Sequence, residues 1–201
     1  TSRVGSGVTP RGGSEIYLTE GILFIRSQNV TNEGLLLDDV AYISEGMHEE
    51  MANSALASFD VLLNITGASI GRCCYMPAGL GPANTNQHVC CVRTHDPCLS
   101  DAIYLSEYLA SPMGQGLVYR SIAGGNREGL NYQQIKGFLI PWPTEGEREA
   151  IAKRISTINQ DQQLERNTLH KYRLLKAGLM QDLLTGRVSV ESIMEVQEPL
   201  A

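Results

Sequence analysis

"GFLIPWPTEGEREAIAKRIS", residues 137–156, marks the point where the chain changes character. Before it, short apolar runs alternate with Gly, Pro, Asn and Asp, the pattern of short strands joined by turns. After it, one glycine (Gly178) and no proline interrupt the chain until Gly186. The "TEGE" at 144–147 reads as a capping box, with Thr144 accepting from the Glu147 amide while Glu147 reaches back. Downstream, Ile151, Ile155, Ile158, Leu169, Tyr172, Leu179 and Leu183 share one 3-4 heptad frame. Gln162, Glu165 and Lys176 occupy the same frame and break its apolar run. A helix of about 40 residues extends ~60 Å. It is too long and too polar to be buried in a small domain of its own, so a partner helix is expected. Gly186 supplies a C′ stop. The stretch therefore predicts an α+β chain: a globular domain over 1–143, a spacer or dimerisation helix over 144–186, and a tail over 187–201.

Working back from this junction, strands are predicted in "GILFIRS" (21–27), "VAYIS" (40–44), "FDVLLNI" (59–65), "CCYM" (73–76), "HVCCVR" (88–93) and "FLIPWP" (138–143). Helical spacing appears near 45–55, over 101–110 and over 112–121, with Pro112 separating the last two. "NYQQIK" (131–136) reads as a single helical turn capped by Asn131.

The totals are those of a globular protein: 201 residues, 42% hydrophobic and 19% charged, with 20 glycines and 8 prolines. No apolar run approaches the ~20 residues of a membrane span, and "TSRVGSGVTPRGG" lacks the features of a secretory signal. A cytoplasmic protein is expected. Among the five cysteines, Cys73-Cys74 and Cys90-Cys91 are adjacent pairs. Neighbours on a strand point to opposite faces, so neither pair can grip one metal ion as a C-x-x-C does. Reduced thiols packed as small hydrophobes are expected.

Net charge is −6, which argues against non-specific nucleic-acid binding. Residues 1–144 nevertheless hold seven arginines against one lysine, Lys136. Sparse arginines suit directed contacts to base edges better than a general hold on phosphates. Catalytic motifs are missing. There is no P-loop, HExxH or acid-x-lysine nuclease pair, and "GSGVTP" has proline where a dinucleotide fingerprint needs its third glycine. "GASIG" (67–71) matches G-x-S-x-G, but the strand that follows it is not the strand–helix elbow that an esterase needs. His88, at a strand start, reads as a structural histidine. A non-catalytic chain without metal or cofactor of its own is expected.

Four loops carry groups able to touch a ligand. "GSGVTPRGG" offers Thr9 and Arg11 between glycines that let backbone approach closely, though a flexible turn explains it equally. "NITGASIGR" offers Thr66, Ser69 and Arg72, as an anion nest or a tight β-turn. "GPANTNQHV" offers Asn84, Asn86 and Gln87, whose amides suit adenine, although asparagine is also a standard turn residue. "GGNREGLN" offers Asn126 and Arg127.

Taken in order, "GVTP", "ILFIRS", "FDVLLNITGASIGR", "NTNQHV", "REGLNYQQIKGFLIPWP" and "LLKAGLMQDLLTGRV" resemble the specificity (S) subunit of type I restriction-modification systems, over about residues 4–190. The S subunit has two such repeats, each a target-recognition domain followed by a long helix; this chain resembles one repeat, either a half-length subunit or an excised fragment. The resemblance implies a DNA-reading role for Thr9, Arg11, Arg26, Thr66, Ser69, Arg72, Asn86, Gln87, Asn126 and Arg127. It also implies pairing through Ile151, Ile155, Ile158, Gln162, Leu169, Tyr172, Leu179 and Leu183. The implied partners are double-stranded DNA, methyltransferase subunits that bring S-adenosylmethionine, a translocase–nuclease subunit, and a second copy of this chain. Two other readings stay open: the specificity domain of a single-chain restriction–methyltransferase enzyme, and a helix-mediated scaffold that does not bind DNA. In the S-subunit reading "LIPWP" is expected to act as a stiff strap between globule and spacer helix.

Overall fold

"VLLN" at 61–64 and "VCCV" at 89–92 lie side by side as antiparallel strands, and all eight residues are buried. Apart from Asn64, their apolar character follows from cover on both faces of the sheet. The computed structural model describes residues 1–123 and 129–190. Within them run β1 (Arg3–Ser6), β2 (Ile22–Ile25), β3 (Val30–Thr31), β4 (Gly34–Leu35) and β5 (Ala41–Ile43), then α1 (Glu45–Glu50). β6 (Ala55–Leu56), β7 (Val61–Asn64), β8 (Cys73–Tyr75), β9 (Ala83–Thr85) and β10 (Val89–Arg93) follow. The helices α2 (Leu99–Ala110), α3 (Pro112–Ala123), α4 (Tyr132–Lys136) and α5 (Glu145–Leu184) complete the order.

One sheet has the order β1-β10-β7-β8 and is antiparallel throughout. A second, β5-β2-β9-β6, contains a parallel β2–β9 pair. The register places Cys90 opposite Leu63 and Leu63 opposite Cys73; the next row is Cys91, Leu62 and Cys74. The first row packs with Leu105, Leu109 and Val118 of α2 and α3. The second packs with Leu23, Ile25 and Leu56 of the other sheet. Adjacent cysteines thus serve different cores, as strand alternation requires. β2 repeats the device: Leu23 and Ile25 face the first sheet, while Ile22 and Phe24 join Ile43, Tyr17 and Met47 beneath α1. Burial stabilises each such leucine or isoleucine by about 1.5–3 kcal/mol.

The same burial pushes the Cys74 and Cys90 thiols up to about 12, and raises those of Cys73 and Cys91 as well. These four are expected to resist the thiol reagent DTNB in the native protein up to pH 9. Cys98, half-buried at the cap of α2, should react alone. Denaturant should release the other four; native titration of more than one thiol would contradict this packing.

Two expectations about elements need correction. The predicted strand 138–143 is an irregular strap. Pro141 and Pro143 lack the N–H that a ladder needs. Phe138 and Ile140 still pack on the core while Leu139 is 87% exposed, so the alternation is that of a strand without its pairing. Conversely, "RVGS" forms β1 and "ANT" forms β9, where only loops were expected.

Residues 1–153 form one compact unit and residues from 154 onward a second. α5 is 40 residues long. At its start Glu147 accepts from both the amide and the hydroxyl of Thr144, at 2.9 and 2.7 Å. The carboxylate half of the expected box is thus present, with the hydroxyl donating instead of accepting. At its end Gly186 adopts φ 70° and donates to Leu183 O, the expected left-handed stop. In the second unit Ile158, Leu164, Leu169, Tyr172, Leu174, Leu175, Leu179 and Met180 are all about half exposed or more.

Candidate nucleic-acid interface

β1 and β7 each run antiparallel to β10 and so share a direction, while β2 and β9 are parallel to each other. The loops that leave these four strands meet. Gly7, just after β1, donates its amide to Asn86 O at 3.0 Å. Asn64, the last residue of β7, uses its side-chain amide to bridge Ser27 O at 2.8 Å and Ser69 Oγ at 3.1 Å. Ile65 donates to His88 O at 3.0 Å. The result is an open depression of about 460 Å³ lined by Ser27, Gln28, Thr66, Ser69, Arg72 and His88, with the Gly67–Ala68 backbone between them.

A chain of hydrogen bonds crosses its rim. The Thr9 hydroxyl donates to Gln87 Oε1. Gln87 Nε2 lies 3.2 Å from His88 Nε2, and His88 Nδ1 lies 2.6 Å from Thr66 Oγ1. With the Gln87 amide in this orientation its nitrogen donates, so His88 Nε2 accepts and the ring carries its proton on Nδ1, towards Thr66. Gln87 and Thr9 are exposed. Arg72 is exposed and is the one charged residue among the described lining; it has no carboxylate partner among the described residues.

The structure therefore brings Thr9, Thr66, Ser69, Arg72 and Gln87 together around one depression. Arg11 is exposed two residues beyond Thr9. Arg26 is engaged elsewhere: its guanidinium lies 5.7 Å from the Tyr17 ring and donates to Asp39 O at 3.1 Å. Asn86 is 7% exposed, its Oδ1 accepting from the His88 amide, and Asn84 is fully buried among His48, Met51 and Ser54. Asn86 is spent on its own turn and Asn84 on the 48–54 segment, and Gln87 alone of the three amides faces out. Asn126 and Arg127 lie outside the described residues. Gly129, the next described residue, bridges to Thr66.

Sequence reading missed Ser27, Gln28 and His88. The adjacency of His88 to Gln87 was the available signal, since a histidine beside an exposed amide can fix its orientation. Ser69, central in "GASIG", occupies a three-residue 3-10 turn and meets Asn64, while Thr66 and Gln87 take the nitrogens of His88. That arrangement is not a nucleophile elbow. A larger cleft, about 860 Å³, lies apart from these loops, with Val4, Val92, Leu105, Ile135 and Phe138 in its walls. Its Asp101 and Arg148 are paired to each other. No cluster of His, Cys, Asp and Glu suited to a metal exists among the described residues.

No protein-family profile matches the sequence. Among solved structures, a chain from a study of complex assembly and conformational transition of the type I R-M system superimposes with a TM-score of 0.60. The match covers 87% of this chain at 17% identity. The fold is that of a type I R-M system chain. This agrees with the S-subunit resemblance at the level of fold, including the strand-rich globule and the long C-terminal helix. The present chain spans 40% of the length of that R-M chain. No helix among the described residues is long and apolar enough to cross a membrane.

Proposed function

We infer that the chain is a DNA-reading part of a type I restriction-modification assembly. In this reading the first unit recognises one half of a bipartite duplex target. The exposed apolar residues of α5 dock methyltransferase subunits, which bring S-adenosylmethionine, and pair with a second copy of the chain. The translocase–nuclease subunit joins through the complex, and this chain contributes no chemistry of its own. The observation that carries the reading is the convergence of Thr9, Thr66, Ser69, Arg72 and Gln87 from separate loops on one open face. Hydroxyls, an amide and a guanidinium with no carboxylate partner among the described residues match phosphate oxygens and base edges. The stripe on α5 supports the second half, because half-exposed leucines at helical spacing mark an interaction surface.

The acidic balance makes weak DNA affinity the expectation for the chain alone, with the methyltransferase supplying phosphate contacts. Methylome sequencing of cells expressing the chain with its methyltransferase identifies a target, and fluorescence anisotropy on that duplex measures affinity. Adding the methyltransferase should strengthen binding. Arg72→Gln should weaken it by roughly tenfold, the order expected for loss of one directed arginine contact. A scaffold that does not read DNA would leave the methylome without a motif and would tolerate neutral replacement of Arg11, Arg72 and Arg127. Tight, specific binding without the partner would refute the division of labour.

A further inference from the structure

Gln87 is held at both ends of its amide. Thr9 occupies one lone pair of Oε1, and His88 Nε2 takes one hydrogen of Nε2. One acceptor site and one donor remain on this exposed group. Adenine presents the complement in the major groove, an N6 donor beside the N7 acceptor. Guanine offers two acceptors there, and cytosine a donor without the neighbouring acceptor. The buried Asn84 and Asn86 cannot offer this pair. The direction of the amide and the tautomer of His88 are coupled: reversing the amide sets the Gln87 oxygen against His88 Nε2, and requires the imidazole proton to sit on Nε2 instead of Nδ1.

We propose that Gln87 is the base-reading residue of the depression, specific for adenine, and that His88 is the positioning residue that fixes which way its amide faces. This rests on the DNA-recognition reading above. It adds to it a base, a reader and a tautomer-dependent orientation. With the imidazole proton on Nε2, the ring would donate towards Gln87, which would then turn its oxygen to the ring and its nitrogen to Thr9. The presented donor and acceptor then exchange places, and the match to adenine in the same docking pose is lost. Arg72 is the one charged residue among the described lining of the depression.

The test has two arms, both on the full chain. In the first, NMR of ring-¹⁵N-labelled protein without DNA should show His88 as the Nδ1–H tautomer at pH 8. The Gln87 side-chain NH₂ resonances should shift in His88→Ala relative to wild type. An Nε2–H tautomer, or Gln87 signals indifferent to His88, overturns the positioning role whatever the DNA does. In the second, the chain with its methyltransferase selects from a randomised duplex pool at pH 8. Wild type should enrich adenine at one position. Gln87→Ala should reduce that enrichment by roughly tenfold while leaving other positions intact. Gln87→Glu, which can only accept, should shift the preference to cytosine. His88→Ala should blur the position, and His88→Gln, which can keep an acceptor towards Gln87, should restore it. Enrichment of an unchanged motif by Gln87→Ala overturns this assignment alone. No enrichment by wild type overturns the recognition reading, and the assignment with it.

Discussion

Gly7→Ala should lower the melting temperature by about 10 °C and abolish sequence-specific DNA binding. A β-carbon at Gly7 would overlap the carbonyl of Thr85 and stand 2.9 Å from Ser54 Cβ. The carbonyl is backbone of β9, which is paired on both sides, by β2 and β6. It has no side-chain freedom with which to yield. Overpacking against fixed backbone costs roughly 3 kcal/mol or more, and for a chain of this size each kcal/mol lowers the midpoint by about 2–4 °C. The loss also reaches the reading face. Gly7 donates to Asn86 O, and the loop it begins carries Thr9 onto Gln87. Gly5→Ala, two residues earlier, meets nothing within 4 Å and serves as the control. Differential scanning calorimetry of both variants decides the matter: equal midpoints would show that the β1–β9 approach is looser than the geometry states.

Asp101→Ala should destabilise the first unit by about 3 kcal/mol, by the general cost of stranding one partner of a buried pair. Arg148 Nε lies 2.6 Å from Asp101 Oδ1, with the two side chains 12% and 9% exposed. The guanidinium also donates to Pro143 O at 2.6 Å and lies 4.7 Å from the Trp142 ring centroid. Trp142 meets Tyr104 edge-on, and the Tyr104 hydroxyl donates to Pro141 O at 2.8 Å. Removing the carboxylate leaves a cation enclosed by an indole and a carbonyl. Urea denaturation reads the loss. The double variant Asp101→Leu/Arg148→Met should recover most of it, since replacing both partners removes the stranded charge. Disrupting the exposed Arg187–Asp182 pair, 3.9 Å apart, should cost under about 1 kcal/mol. A loss at Asp101 no larger than that would mean the Arg148 cluster is fully solvated.

What the sequence made legible followed from burial and periodicity. "VLLN" and "VCCV" were readable as strands because both their faces are covered, and the adjacent cysteines follow from alternation alone. Asn131 caps α4 as expected, with Gln134 returning the bond. The strap at 138–143 deceived because Phe138 and Ile140 alternate with Leu139 as a strand would, while the missing ladder is a matter of partners and not of pattern. β9 was hidden for the opposite reason. "ANT" looks like a turn, yet Asn84 is fully buried because three local groups satisfy its amide. The same blindness applies to the reading face. Sequence offers three amides in "ANTNQ", and only the packing of Gly7 and His88 shows that Asn86 is consumed and Gln87 presented.

The arrangement of dry interior and wet loops has a bearing on how such a protein changes over generations. The rows Cys90–Leu63–Cys73 and Cys91–Leu62–Cys74 hold the sheets together without help from Gln87, Arg72 or Thr9, all of which are exposed. Substitutions at sites that share no partners add nearly independently. New preferences can therefore be written into the loop tips like type set into a standing frame, one character at a time, with the frame's own stability scarcely consulted. Gly7 is the exception, a hinge-pin common to frame and type, and the position at which drift in specificity meets resistance from the fold.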